Sequence, residues 1–307
     1  MPARRWAGYR LRALDGTSIC EPGADRTTWR LHVGYDLASG QVDQLELTDI
    51  HGAENLQRLR YQAGDIVLVD RYYARPRDLR PVIDAGADFI VRTGWNSLRL
   101  LQPNGEPFDL FAALAAQVEQ QGEVQVRIHE GTTQATLQPL ILRLVIRRKD
   151  AQQAEAERKR LIKDAKKRGK QPDPRSLEAA KYVLLLTSLP ANAFPPADVL
   201  ALYRFRWQIE LAFKRFKSLA GLDQLPAKKP ALARAWIYAR LIVAIIAEQI
   251  AGQVPDSSPC GPYKTGTEPI ALAPRENRPR HRRRSHSRTN FVGQYPSRAH
   301  IHPSAPL

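Results

Sequence analysis

The sequence predicts an α/β fold, a mixed sheet flanked by helices, and three observations carry that prediction. The first fifty residues hold three segments in which apolar and polar residues alternate, the mark of half-buried antiparallel strands. A continuous apolar run, DIVLVD at 65–70, follows and suits a central strand covered on both faces. From there short strands and helical spacing take turns. With 43% hydrophobic residues in a chain of 307, there is material for a sizeable core in one large or two modest domains.

In chain order, the first strand covers roughly 8–15 and ends in Asp-Gly-Thr. TWRLHVGYD (28–36) sets Trp29, Leu31, Val33 and Tyr35 on one face, and Ala38-Ser39-Gly40 turns the chain into a third strand, QVDQLELTD (41–49). ENLQRLRYQ (54–62) has helical spacing. The apolar strand at 65–70 stops at Asp70, RPRDLRPVIDAGA (75–87) predicts a helix, and DFIVR (88–92) a fifth strand. This β-β-β-α-β-α-β order, with its first strand in the middle of the sheet, is ribonuclease H-like.

Residues 96–195 interrupt that plan with β-rich sequence: a short helix near Leu110–Gln117, strands near 124–130, 137–148 and 182–188, and a charged helix from about Ala151 to Lys170. Pro195-Pro196 then precedes YRFRWQIELAFKRFK (203–217), which reads as one amphipathic helix, and a further apolar helix spans about 231–252. From residue 254 apolar periodicity is lost, prolines accumulate and RPRHRRRSHSR (278–288) appears, so 254–307 is expected to be a disordered basic tail.

The formal net charge of +16 points to a polyanionic partner, nucleic acid before an anionic membrane. The longest apolar candidate, LIVAIIAEQIA (241–251), is too short to span a bilayer, and no secretory signal follows the basic N-terminus. Cys20 and Cys260 have no metal-type spacing and suit a reducing cytoplasm.

Within 203–217, Tyr203, Arg206, Glu210 and Lys217 fall at roughly 0°, 300°, 340° and 320° on a helical wheel, a stripe about 60° wide. Phe205, Ile209, Ala212, Phe216 and Leu219 take the opposite side. A lone acid in a basic row is not the usual solvated face, which mixes Glu and Lys for solubility. In the sheet order above, the first and fourth strands are neighbours. Their ends would bring Asp15 to Asp70, and a helix alongside could add Glu210. Three converging carboxylates repel one another and suit two hard divalent cations able to work a phosphodiester. The cations around Glu210 would hold phosphates, Arg bidentately and Lys as a point charge.

Taken singly, each acid has a plainer explanation, since an Asp at a strand end is more often a turn or cap residue. Asp36 and Asp65 read as a strand end and a strand start, and Asp84 and Asp88 as solvated residues at a helix end. Trp207 lies on the same side as the acid and could stack on a base or pack against the insertion. Trp95 and Asn96 are weaker candidates for a DNA groove, and the 151–170 helix is a solvated charged face first.

Tyr203-x2-Arg206-x3-Glu210-x6-Lys217 resembles the YREK signature of bacterial DDE transposases of the insertion-sequence-four type. LDGT (14–17) resembles that family's first-Asp motif, and LVDRYYARPRDLRPVIDAGADFIVR (68–92) its second-Asp block. The resemblance covers roughly residues 8–250. It implies cut-and-paste DNA transposition with Asp15, Asp70 and Glu210 as catalytic metal ligands for two Mg²⁺ ions, which Mn²⁺ can replace. It also implies that Tyr203, Arg206 and Lys217 contact the transposon end, including the strand around a flipped nucleotide. The chain then divides into 1–95, the first part of the catalytic domain; 96–195, the insertion; 196–253, the Glu helix and the helix completing the domain; and the tail.

Double-stranded DNA is the expected partner, with a homodimer for synapsis of two ends, a cytoplasmic, nucleoid-associated location and no membrane. Two departures from the family accompany these expectations. The N-terminal DNA-binding region has no counterpart before Asp15, and 254–307 does not resemble the family's C-terminal end, so a truncated transposase is expected. The competing expectations are an inactive DNA-binding remnant, and a ribonuclease H-like nuclease of another pathway that would keep the acids without needing the Tyr-Arg-Lys row.

Overall fold

A computed structural model describes residues 6, 8–24, 28–117, 119–129 and 139–253; the expected tail at 254–307 lies outside them. All belong to one compact unit, Met1–Thr265. Nine strands form a single mixed sheet in the order β3-β2-β1-β4-β5-β9-β8-β7-β6. The alternating first segments become β1 (Arg10–Ile19), β2 (Trp29–Asp36) and β3 (Gln41–Asp49), an antiparallel meander. The apolar run becomes β4 (Asp65–Val69), buried throughout and parallel to β1, with Arg10 opposite Asp65 and Ala13 opposite Leu68. After α1 (Pro76–Asp84), β5 (Asp88–Arg92) adds parallel to β4. Parallel neighbours need a crossover, and α1 provides one between β4 and β5.

Strands from the next hundred residues extend the same sheet. β6 (Leu100–Leu101), α2 (Leu110–Ala116), β7 (Gln121–Ile128) and β8 (Ile141–Arg148) lead into the exposed helix α3 (Ala151–Lys167) and the short α4 (Pro174–Ala179). Then β9 (Tyr182–Thr187) inserts antiparallel between β5 and β8.

Side chains alternate across this sheet, which gives it two cores. Leu14, Val67, Val69, Phe89 and Val91 join α1 and α2 on one face. On the other, Ala13, Leu31 and Val33 meet α6 (Trp207–Ser218) and α7 (Pro230–Gln253), while Ile66, Leu68 and Ile90 meet α5 (Pro196–Tyr203). Arg215 on α6 clamps this side by donating to Glu248 on α7 at 2.7 Å and to the Tyr35 hydroxyl on β2 at 3.3 Å.

Five expectations change. The helix at 54–62 is only a 3-10 turn, Leu56–Arg58; Leu56 and Leu59 are buried, but Gln44 and Arg58 side chains bind the backbone of Arg60 and Ala53 in place of helical bonds. β1 does not end at Asp15: it stays paired with β2 as far as Ile19, so Asp-Gly-Thr is strand and not turn. The helix at 203–217 is broken, because Arg204–Arg206 forms a 3-10 segment between α5 and α6. Tighter winding there turns each residue by about 120°, which brings Tyr203 into line with Arg206, so the stripe survives the break. Leu219, expected on the buried side, is 81% exposed at the end of α6, while Ile209, Ala212 and Phe216 are buried. Finally, Pro230–Ala251 is long and apolar enough to cross a membrane by length and composition, although no unbroken apolar run is. It packs Ala233, Ile237, Leu241 and Ala244 into the core and exposes its other side.

Candidate active site

The site lies where the parallel pairing of β1 and β4 comes to an end. That ladder stops at Ala13 and Leu68, and the chain of β4 leaves the sheet at Asp70. Alternation puts Asp15 on the same face as Ala13, under α6. Asp70 caps the 3-10 turn Arg71–Tyr73, its carboxylate accepting from the Tyr72 amide at 2.7 Å. Asp15 accepts from the Gly16 amide at 2.8 Å.

Burial pushes the Asp15 carboxyl up to about 7. The Gly16 amide and the Arg206 guanidinium oppose this rise, while the negative charges of Asp70 and Glu54 add to it. Sequence reasoning missed Glu54. It lies in the loop after β3, where no motif marks it, and its carboxylate approaches so closely that a Cβ on Gly16 would sit 2.7 Å from Oε1. A glycine next to an Asp was the one signal that could have pointed to it. Burial raises the Glu54 carboxyl too, with Asp70 contributing, and Arg30 pairs with it at 3.4 Å. Tyr73 was missed as well: burial first, then Asp15, Glu54 and Asp70, drive its phenol well above the usual range, so it stays a neutral donor.

Arg206 joins the sheet to the helix. Its Nη1 lies 3.5 Å from Asp15 Oδ2, and its Nη2 bonds Glu210 Oε1 in the first turn of α6. The structure therefore connects Asp15 and Glu210 through a guanidinium, and Asp15 to Asp70 through space. Among the described residues no three carboxylates, histidines or cysteines are arranged as a ready metal site. The donors nonetheless fit a hard divalent cation. Asp15, Asp70 and Glu54 lie within electrostatic reach of one another, and hard cations take carboxylate oxygens.

Tyr203 is half-buried at the end of α5, its phenol raised to about 12 by burial despite the nearby Arg206 and Arg92. It lines a cavity of about 720 Å³ with Arg92, Arg147, Lys149 and Arg204. A smaller opening of about 440 Å³ lies beside Asp70, lined by Arg71 and Arg75. Lys217 is half-buried in the last turn of α6, and Trp207 is 38% exposed at its start. Trp95 is tied down, donating to Ser176 Oγ at 3.0 Å and touching Phe111, though it and Asn96 line a cleft with Arg71 and Lys149.

Residues 6–246 match the family described as the transposase DDE domain. The chain is 41% identical over 246 residues to the putative transposase InsL for insertion sequence element IS186A of Escherichia coli K12, covering 80% of this chain and 66% of that protein. It matches the transposase for insertion sequence element IS421 of Escherichia coli to the same extent. The transposase for insertion sequence element IS231F of Bacillus thuringiensis subsp. israelensis is 28% identical over 267 residues, with 77% and 55% covered. A solved piggyBac transposase synaptic complex with hairpin DNA aligns at a TM-score of 0.42 and 9% identity, with 78% of this chain and 46% of that one covered, too distant to carry an argument. The chain thus spans just under two thirds of its Escherichia coli relatives, and it belongs to the DDE transposase family.

Proposed function

We propose that this chain is the catalytic core of an insertion-sequence transposase, cleaving and joining DNA phosphodiesters at transposon ends. The observation that carries the proposal is that Asp15 and Asp70 lie within electrostatic reach of each other just past the end of the β1–β4 ladder, with Glu210 tied to Asp15 through Arg206. The order β3-β2-β1-β4-β5 supports a ribonuclease H-like reading of this half, with the strands from residues 100–187 as its insertion and 196–253 completing the domain. Spacing supports reading Tyr203, Arg206, Glu210 and Lys217 as a YREK set.

Asp15, Asp70 and Glu210 would hold Mg²⁺, or Mn²⁺ in its place. Bound there, the ions would activate a water or 3′-hydroxyl and stabilise the departing oxygen. The protein's own part is positional. Arg206 and Lys217 supply positive charge for phosphates, the neutral Tyr203 phenol can donate to a phosphate or support a base, and Trp207 offers a ring for stacking. The net charge of +16 supports duplex DNA as substrate. Handling two ends at once calls for two copies of the chain, and a reducing cytoplasm fits its cysteine usage.

Nicking of supercoiled plasmid with Mg²⁺ or Mn²⁺, by the wild type and by Asp70→Ala and Glu210→Ala, tests this proposal. Loss of nicking in both variants is the expected result. The second reading, a DNA-binding remnant, is favoured by the net charge of +16, which supports binding without any cleavage chemistry. It predicts salt-sensitive binding with no nicking by any of the three proteins.

A further inference from the structure

We propose that the Arg206 guanidinium is a built-in counter-ion: it holds Glu210 to Asp15 while DNA is absent and yields both acids to a divalent cation when a DNA phosphate engages it. DNA and metal then bind cooperatively through one side chain. This deepens the proposed function and rests on Asp15, Asp70 and Glu210 being metal ligands.

The placement of Arg206 is the starting point. It belongs to the 3-10 segment Arg204–Arg206 and not to α6, so its side chain leaves the backbone one turn before Glu210 and reaches back under the helix to β1. A planar guanidinium has donors on both terminal nitrogens, and here the two face different carboxylates, Nη1 to Asp15 Oδ2 and Nη2 to Glu210 Oε1. Arg206 therefore spans the gap between the sheet acid and the helix acid, where a shared cation would have to sit. Its side chain is 18% exposed and that of Asp15 21%, whereas Glu210 is 56% exposed. The helix acid is free to swing outward, and the guanidinium keeps it inward.

Asp70 and Glu54 also act on Asp15, and Arg30 pairs with Glu54. Between Asp15 and Glu210 the guanidinium brings one positive charge to two carboxylates, where a divalent ion would bring two. On its other side Arg206 neighbours Tyr203, which lines the cavity edged by Arg92, Arg147, Lys149 and Arg204. A phosphate drawn there offers Arg206 a bidentate partner at least as good as a carboxylate. Arg206 thus has acids on one side and an anion-ready cavity on the other. A residue with two alternative partners couples the ligands that compete for it, and the coupling is reciprocal.

Two titrations of the full-length protein test the proposal. In the first, Mn²⁺ is added without DNA and the unbound ion is followed by electron paramagnetic resonance. Arg206→Gln should bind Mn²⁺ about tenfold more tightly than the wild type, within the usual span of such couplings. Arg206→Lys should resemble Arg206→Gln, because one ammonium cannot span both acids. A wild-type affinity in Arg206→Lys would mean that charge alone matters, and unchanged or weaker binding by Arg206→Gln would mean that there is no competition; either result overturns the proposal. In the second titration, the affinity for labelled duplex DNA is read by fluorescence anisotropy at fixed ionic strength, with and without Mg²⁺. Mg²⁺ should favour DNA binding by the wild type more than by Arg206→Gln or Glu210→Gln, and an equal effect in all three overturns the coupling. Asp70→Ala separates the two levels. If it binds Mn²⁺ as the wild type does, or if neither binds, the metal-site reading has failed, and not merely the role given to Arg206.

Discussion

The parallel ladder of β1 and β4 carries charged residues at its start and just past its end, and the two ends are built on opposite principles. At the start, Arg12 and Asp65 are fully buried and saturated. Arg12 donates to both Asp43 oxygens at 2.5 and 2.9 Å, to the Arg60 carbonyl at 2.8 Å and to Asp65 at 3.2 Å, while Arg10 grips Asp65 at 2.7 and 2.9 Å. Three residues on from Arg12, Asp15 faces one guanidinium at 3.5 Å and two further acids. Buried charge is tolerated where it is fully paired and hydrogen-bonded. The first end meets that condition and the second does not, so the second is where a function is to be sought.

The largest effect should come from breaking the unsaturated end: Asp15→Asn should reduce plasmid nicking to background while the protein stays folded. At the saturated end, Asp65→Asn or Arg12→Met leaves a buried partner uncompensated and should cost about 3–5 kcal/mol in urea unfolding. Next in size is a gain. The folded-state value of Asp15, about 7, lies above its ordinary 3.8, so the native protein holds the extra proton in that window and loses stability as pH rises through it. Asp15→Asn removes that loss, and its stability relative to wild type should increase by about 2–4 kcal/mol between pH 4 and pH 8.

Two glycines sharpen the contrast. A Cβ on Gly34 would meet Asp43 Oδ1 at 2.5 Å and Arg12 Nη2 at 2.8 Å, both held in the network. Gly34→Ala should therefore destabilise by about 1–3 kcal/mol. A Cβ on Gly16 meets only the end of the Glu54 side chain, which can turn aside. Gly16→Ala should change stability less than Gly34→Ala yet reduce nicking. The smallest effect belongs to an acid on open surface: Glu155 on α3 reaches Arg158 and Lys159 at 4.0 and 3.9 Å, and Glu155→Gln should stay within about 0.5 kcal/mol of wild type.

How much of this was legible depended on whether the signal was local. Alternation in TWRLHVGYD and the unbroken DIVLVD are local signals, and both strands are where the pattern put them, although His32 and Gly34 on the other face of β2 are buried as well. Asp65 could be set apart from Asp70 because it opens its strand instead of following it. The spacing of Leu56 and Leu59 fits a helix as well as the irregular turn they occupy, and only the distant Gln44 decides between the two. The 3-10 break at Arg204–Arg206 is hidden because YRFRWQIE contains no glycine or proline to mark it, and the helical spacing runs through it. Glu54 and Tyr73 were out of reach because tertiary packing, not spacing, brings them to Asp15.

The outward side of α7 carries Ile242, Val243, Ile246 and Ile250, each at least 49% exposed, on a chain with sixteen surplus positive charges. In dilute salt, mutual repulsion keeps copies apart; in strong salt that repulsion is screened within a few ångströms, and these side chains are free to meet. The salt that would strip nucleic acid from the protein during purification is thus the salt that encourages it to self-associate. Ionic strength will set a narrow working window for any biochemistry done on this chain.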